Sequence, residues 1–92
     1  MSLGWTIEIS DTARKQLKKM NKQDAGRILS YLKSRAAKGD NPRKTGKALK
    51  GNFSELWRYR VGNYRILCEL QDNIMTILVL QAGHRKEIYK QF

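Results

Sequence analysis

Arg58, Arg60 and Arg65 flank a Gly62-Asn63 dipeptide, and Gly83, His84, Arg85 and Tyr89 follow the next long apolar run. A guanidinium is a permanently charged planar fork that donates paired hydrogen bonds to phosphate oxygens. Such groups suit one reaction in particular. RNA can be cut by its own 2′-hydroxyl, which attacks the adjacent phosphorus in line. The protein must then supply cations around the phosphoryl group, a proton acceptor, and a donor for the leaving 5′-oxygen. Arginines supply the first. Cations beside a tyrosine stabilise its phenolate, so Tyr89 is a candidate base, or else a platform on which an exposed base stacks. His84 is a phosphate contact, a proton donor or an incidental surface residue.

Other chemistries lack their residues. The 8 carboxylates are scattered along the chain, with none of the Asp/Glu clustering that magnesium sites use. One histidine and one cysteine do not make a zinc site. No Ser-His-Asp set, Walker loop or dinucleotide fingerprint is present. Cys68 sits in an apolar run, which predicts a buried, inert thiol. No metal and no cofactor are therefore expected.

The elements that must position these groups can be read from periodicity. Trp5, Ile7 and Ile9 alternate with polar residues, as in a strand with one buried face. Ser10 or Asp11 then caps a helix carrying Ala13, Leu17 and Met20. Asn21 with Asp24 forms a capping pair for a second helix, whose stripe is Ile28, Leu29, Leu32 and Ala36 and which ends at Gly39 to Pro42. Arg43 to Asn52 reads as a basic loop with Leu49 tucked inward. Three strands follow, near Glu55 to Val61, Tyr64 to Leu70 and Ile74 to Ala82. Gly62-Asn63 and Asp72-Asn73 serve as two-residue hairpin turns. Arg85 to Gln91 closes the chain as a short helix or an extended tail. The order β-α-α-β-β-β implies an α+β fold with two helices packed on one face of a largely antiparallel sheet.

With Gly62 and Asn63 in the turn, Val61 faces Tyr64 and Arg60 faces Arg65. Trp57, Tyr59, Val61, Tyr64, Ile66, Cys68 and Leu70 then share a core face. Leu56, Arg58, Arg60, Arg65, Leu67 and Glu69 share the other, an open face with three guanidinium groups. Directly opposed arginines destabilise a sheet unless an anion lies between them. The final strand runs back beside the turn and carries Gly83, His84, Arg85 and Tyr89 to the same edge.

Composition agrees with a polyanion partner. In 92 residues, 19 Lys+Arg stand against 8 Asp+Glu, a formal net charge of +11. Such a field steers nucleic acid, acidic proteins or anionic membranes toward the chain. Hydrophobic residues make up 40% and charged residues 29%, a globular balance that argues against wholesale disorder. No apolar run approaches the ~20 residues of a membrane span, and no signal segment opens the chain. One domain over residues 1–92, cytoplasmic and without a membrane partner, is the expectation.

The run from Leu56 to Ile66, Leu-Trp-Arg-Tyr-Arg-Val-Gly-Asn-Tyr-Arg-Ile, resembles the C-terminal half of RelE-type toxins of bacterial toxin–antitoxin pairs. So does Ala82 to Tyr89, Ala-Gly-His-Arg-Lys-Glu-Ile-Tyr, as does the leader Leu49-Lys50-Gly51. The resemblance implies the RelE/ParE-like fold and a toxin that cleaves mRNA in the ribosomal A site, arresting translation. It also implies an acidic RelB-like antitoxin as the neutralising partner. Arg65, Arg85 and Tyr89 would be catalytic, and Arg58, Arg60, Lys50, His84 and Lys86 would bind the RNA phosphates. Arg58 and Arg60 stand where the family has lysines, and arginine does not give up its proton, so their share is phosphate binding. The Arg85-to-Tyr89 spacing is shorter than in the prototype. ParE-type members share the fold, act on DNA gyrase and lack the RNase residues. A non-catalytic gyrase inhibitor and a plain nucleic-acid-binding module are the alternatives.

Overall fold

Among the described residues, two helices and five strands arise in the order the periodicity sets, with one addition. The computed structural model describes residues 4–37, 39–49 and 56–84. Strand β1 (Thr6–Ile9) leads into α1 (Asp11–Lys19) and α2 (Lys22–Arg35). Strands β2 (Lys47–Ala48), β3 (Leu56–Val61), β4 (Tyr64–Gln71) and β5 (Thr76–His84) follow. The sheet order is β1-β5-β4-β3-β2. β1 runs parallel to β5, and the other pairings are antiparallel.

Both helix starts follow their capping residues. Ser10 caps α1, its hydroxyl accepting from the Ala13 N–H, and Asn21 Oδ1 accepts from the Asp24 N–H at the start of α2. Each cap satisfies a donor that the first helical turn leaves orphaned. Ala13, Leu17, Ile28, Leu32 and Ala36 are buried against Tyr59, Ile66, Cys68, Leu70, Ile77, Val79 and Ala82 of the sheet. Burying one such aliphatic side chain contributes about 1.5–3 kcal/mol, so this layer carries most of the fold's stability. Cys68 lies fully inside it, and desolvation raises its thiol pKa far above the ordinary value, as expected of an inert core cysteine.

Two local readings of the sequence are corrected. The segment taken as a loop contains β2, which pairs Lys47 with Arg58 and Ala48 with Trp57. Asp72-Asn73 is not a two-residue turn. The chain makes a 3-10 turn over Asp72–Ile74 and then Met75 adopts φ +47°, so the last strand begins at Thr76 and extends to His84. Ile74 is exposed there, which removes it from the strand's alternation.

An irregularity decides which side chains of β5 face the core. Leu67 pairs with Gln81 whereas Cys68 pairs with Val79, so Leu80 is an extra residue, a β-bulge. The bulge shifts the phase of the strand, turning Ala82 into the core and Gln81 to the opposite face. Ser10 fixes it: its N–H donates to the Val79 carbonyl and its hydroxyl to the Leu80 carbonyl, both at 2.9 Å. Beyond the end of β1, Gln16 Oε1 accepts from the Ala82 N–H at 2.8 Å. Helix α1 thus takes over from β1 as the partner of β5.

Candidate nucleic-acid interface

The β3–β4 hairpin has the register that its sequence dictates. Gly62 takes φ +58° while Asn63 stays at negative φ, the pattern of a type II′ turn with glycine at its first central position. Val61 faces Tyr64 and Arg60 faces Arg65. On the helix side, the Tyr64 hydroxyl donates to Asp24 Oδ2 at 2.8 Å, tying the hairpin tip to α2.

The opposite face carries the cations, but it is less open than alternation alone implies. Arg60 is exposed and Arg58 half-buried, whereas Arg65 is 7% and Leu67 2% exposed. β4 is the middle strand of the described sheet, flanked by β5 and β3, whereas the outer neighbour of β3 is the two-residue β2. β2 covers β3 only at Trp57 and Arg58, so among the described residues the outer edge from Tyr59 to Val61 has no strand partner.

A cleft of about 420 Å³ opens at that edge, lined by Tyr31, Thr45, Gly46, Lys47, Arg58, Arg60 and Arg65. Its outer wall is the stretch before β2. Gly46 sits at φ +88°, and a Cβ there would lie 2.4 Å from Trp57 Nε1 and 2.6 Å from the Arg58 carbonyl oxygen, so glycine is required. Trp57 Nε1 donates to the Thr45 carbonyl at 2.8 Å, and the Tyr31 hydroxyl bonds Thr45 Oγ1. Behind the wall, the Tyr59 hydroxyl donates to the Pro42 carbonyl; burial raises the Tyr59 pKa and keeps that phenol protonated. Arg43 forks onto Asp72 with two 2.8 Å bonds, its guanidinium carbon 5.9 Å from the centre of the Trp57 ring.

Lys47, missed in the sequence, faces Arg58 just as Arg60 faces Arg65. Two like-charge cross-strand pairs therefore stand side by side. Among the described lining residues four are cationic and none is acidic. A cluster of cations at an open sheet edge attracts anions. Tyr31 and Thr45 were also unforeseen, because only the fold brings α2 beside this edge. For Lys47 the one available signal was Gly46 ahead of an alternating Lys47-Ala48-Leu49.

His84 does reach the turn end of the sheet, pairing with Tyr64, while Gly83 pairs with Arg65. Its ring packs edge-on to Tyr64 with centroids 6.1 Å apart, in a separate cleft with Gln16, Lys19 and Met20. That is the helix side of the sheet, away from the arginines. Lys50, Arg85, Lys86 and Tyr89 lie outside the described residues, as does the closing segment. Among the described residues no three His, Cys, Asp or Glu side chains group as metal ligands. No described helix is long and apolar enough to cross a membrane.

Two helices over a mixed, mostly antiparallel five-stranded sheet make an α+β fold, and the family match defines the class, a toxin of a type II toxin–antitoxin system. The family described as "ParE toxin of type II toxin-antitoxin system, parDE" matches residues 7–89, and the chain belongs to it, within the RelE/ParE superfamily. Toxin RelG of Mycobacterium tuberculosis is 28% identical over 90 residues, spanning 95% of this chain and 98% of the relative. The toxin–antitoxin complex RelBE2 of M. tuberculosis superposes with a TM-score of 0.79 at 23% identity, covering 92% of this chain and 95% of the other. An E. coli RelE toxin variant in the free state gives a TM-score of 0.78 at 16% identity, covering 96% and 93%. These two structural likenesses speak to the fold.

Proposed function

We propose that the protein is an endoribonuclease that enters the ribosomal A site and cuts the mRNA codon there, inhibiting translation without a metal. The observation that carries this reading is the two pairs of opposed cations, Arg60 against Arg65 and Lys47 against Arg58, that line one cleft. In the reaction the 2′-oxygen bonds to phosphorus and the bond to the 5′-oxygen breaks, leaving a 2′,3′-cyclic phosphate and a free 5′-hydroxyl. The 2′-hydroxyl proton passes to a base and another proton goes to the departing oxygen. Arg65 and Arg85 stabilise the charge on the phosphoryl oxygens, and Tyr89 is the candidate base or stacking platform. Arg58, Arg60, Lys50 and Lys86 hold the strand through its phosphates. His84, on the other side of the sheet, serves flanking RNA rather than the scissile phosphate. The domain of residues 1–92 acts in the cytoplasm, neutralised by an acidic RelB-like antitoxin over its basic face, consistent with RelBE2 being a toxin–antitoxin complex.

Primer extension on translated mRNA after induction tests this. Codon-phased cuts that vanish with Arg65→Ala are expected; intact transcripts during growth arrest would overturn it. The matching ParE family favours a second reading, non-catalytic inhibition of DNA gyrase. That reading predicts supercoiling defects and an arrest that survives Arg65→Ala. A plain nucleic-acid-binding module would bind in a salt-sensitive way and cause no arrest.

A further inference from the structure

The cleft holds more charge than one phosphate needs, and the charge is divided. Arg60 and Arg65 form one cross-strand pair, and Lys47 and Arg58 form another on the same face. Arg58 and Arg60 are two residues apart on one strand, roughly 6.6 Å at the usual strand rise. That is comparable with the separation of successive phosphates along an extended RNA strand. The Tyr31 and Thr45 hydroxyls, bonded to each other, line the same cleft, and Gly46 seats the Lys47 backbone against β3.

We infer that Lys47 and Arg58 form a second phosphate subsite, which holds the phosphate next to the scissile one while Arg60 and Arg65 hold the scissile phosphate itself. The substrate strand then runs along β3 with one phosphate between the members of each like-charge pair. The arrangement gives Lys47 a role in orienting the reacting nucleotide, because fixing two consecutive phosphates sets the direction of the strand and aligns the 2′-oxygen with its phosphorus. This inference rests on the ribonuclease reading above.

The test uses ribosomes programmed with mRNAs in which the phosphate on one or the other flank of the cleavage site is a neutral methylphosphonate. The full chain is compared with Lys47→Gln. Lys47 is exposed, so the variant should melt with the wild type. Neutralising the relevant flank should slow wild-type cleavage about tenfold or more, the usual scale for losing a charged hydrogen bond. Lys47→Gln should be slowed to a similar degree on ordinary mRNA and respond no further to that neutral flank, the signature of a shared interaction. If both proteins respond equally to neutralisation on either flank, or Lys47→Gln cleaves as fast as wild type, the subsite is overturned while the ribonuclease reading stands. Absence of cleavage of ordinary mRNA by the wild type would instead remove that reading and this inference with it.

Discussion

The two faces of the β3–β4 hairpin share one backbone ladder and obey opposite rules. Toward the helices, Tyr59, Ile66, Cys68 and Leu70 are buried, and every neighbour they meet lowers the free energy of the fold. On the other face Lys47 opposes Arg58 and Arg60 opposes Arg65, contacts that a sheet selected for stability alone would avoid. The register that buries the first set forces the second set together, since a one-residue slip would exchange the faces. The core and the clustering of cations are therefore specified by the same turn, and they can be separated by substitution on one face at a time.

The largest separation is expected from Ile66→Ala against Arg65→Ala, neighbours on β4 that point to opposite faces. Ile66 is fully buried, and its truncation should cost about 2–5 kcal/mol in urea denaturation, leaving the cleavage rate per folded molecule unchanged. Arg65→Ala should lower the rate of codon-phased cutting by about 10²–10³-fold, the scale for removing one donor from a charge-stabilising site. Equal losses of activity per folded molecule in the two variants would dissolve the distinction between the faces.

A smaller effect of opposite sign sharpens it. Arg60→Thr removes one member of a like-charge pair from an exposed strand position. Stability should rise by about 0.2–1 kcal/mol, while RNA binding weakens and its log–log salt slope falls by about 0.7. A variant that is both less stable and equally tight would show that the opposition does not strain the sheet.

Why the hairpin was legible and its surroundings were not has a physical answer. Gly62-Asn63 with strict alternation on either side fixes a turn and a register locally, and Ser10 and Asn21 act within three residues of themselves. The Leu80 bulge gives no such local sign. Ile77 to Leu80 is apolar throughout and carries no phase, and the bulge is pinned by a hydroxyl from the far end of the chain. Met75 hides the second turn because methionine rarely takes positive φ. β2 is two residues long and exists because β3 offers it an edge, so Lys47 joined the site only through tertiary pairing. The charge of the site was thus legible from spacing, and its wall of Tyr31, Thr45 and Gly46 was not.

The smallest effect concerns the two ends of the same sheet. At the turn end like charges oppose; at the other, Arg43 and Asp72 form a two-pronged ion pair. The hydrogen bonds from Arg43 hold the Asp72 carboxyl below its ordinary pKa. A depressed carboxylate contributes stability above its unfolded pKa, near 3.9, and loses that contribution as pH falls through the lower folded value. Because both side chains are largely exposed, at 40% and 61%, the pair is worth only about 0.2–1 kcal/mol. Asp72→Asn should therefore cost that amount at pH 7 and flatten the corresponding part of the acid limb of a stability–pH curve. Salt separates the two ends further. Screening weakens the Arg43–Asp72 attraction and the Arg60–Arg65 repulsion alike, so Asp72→Asn should lose its penalty in high salt and Arg60→Thr its gain. If added salt moves both variants in the same direction relative to wild type, the two ends of the sheet are not electrostatic opposites.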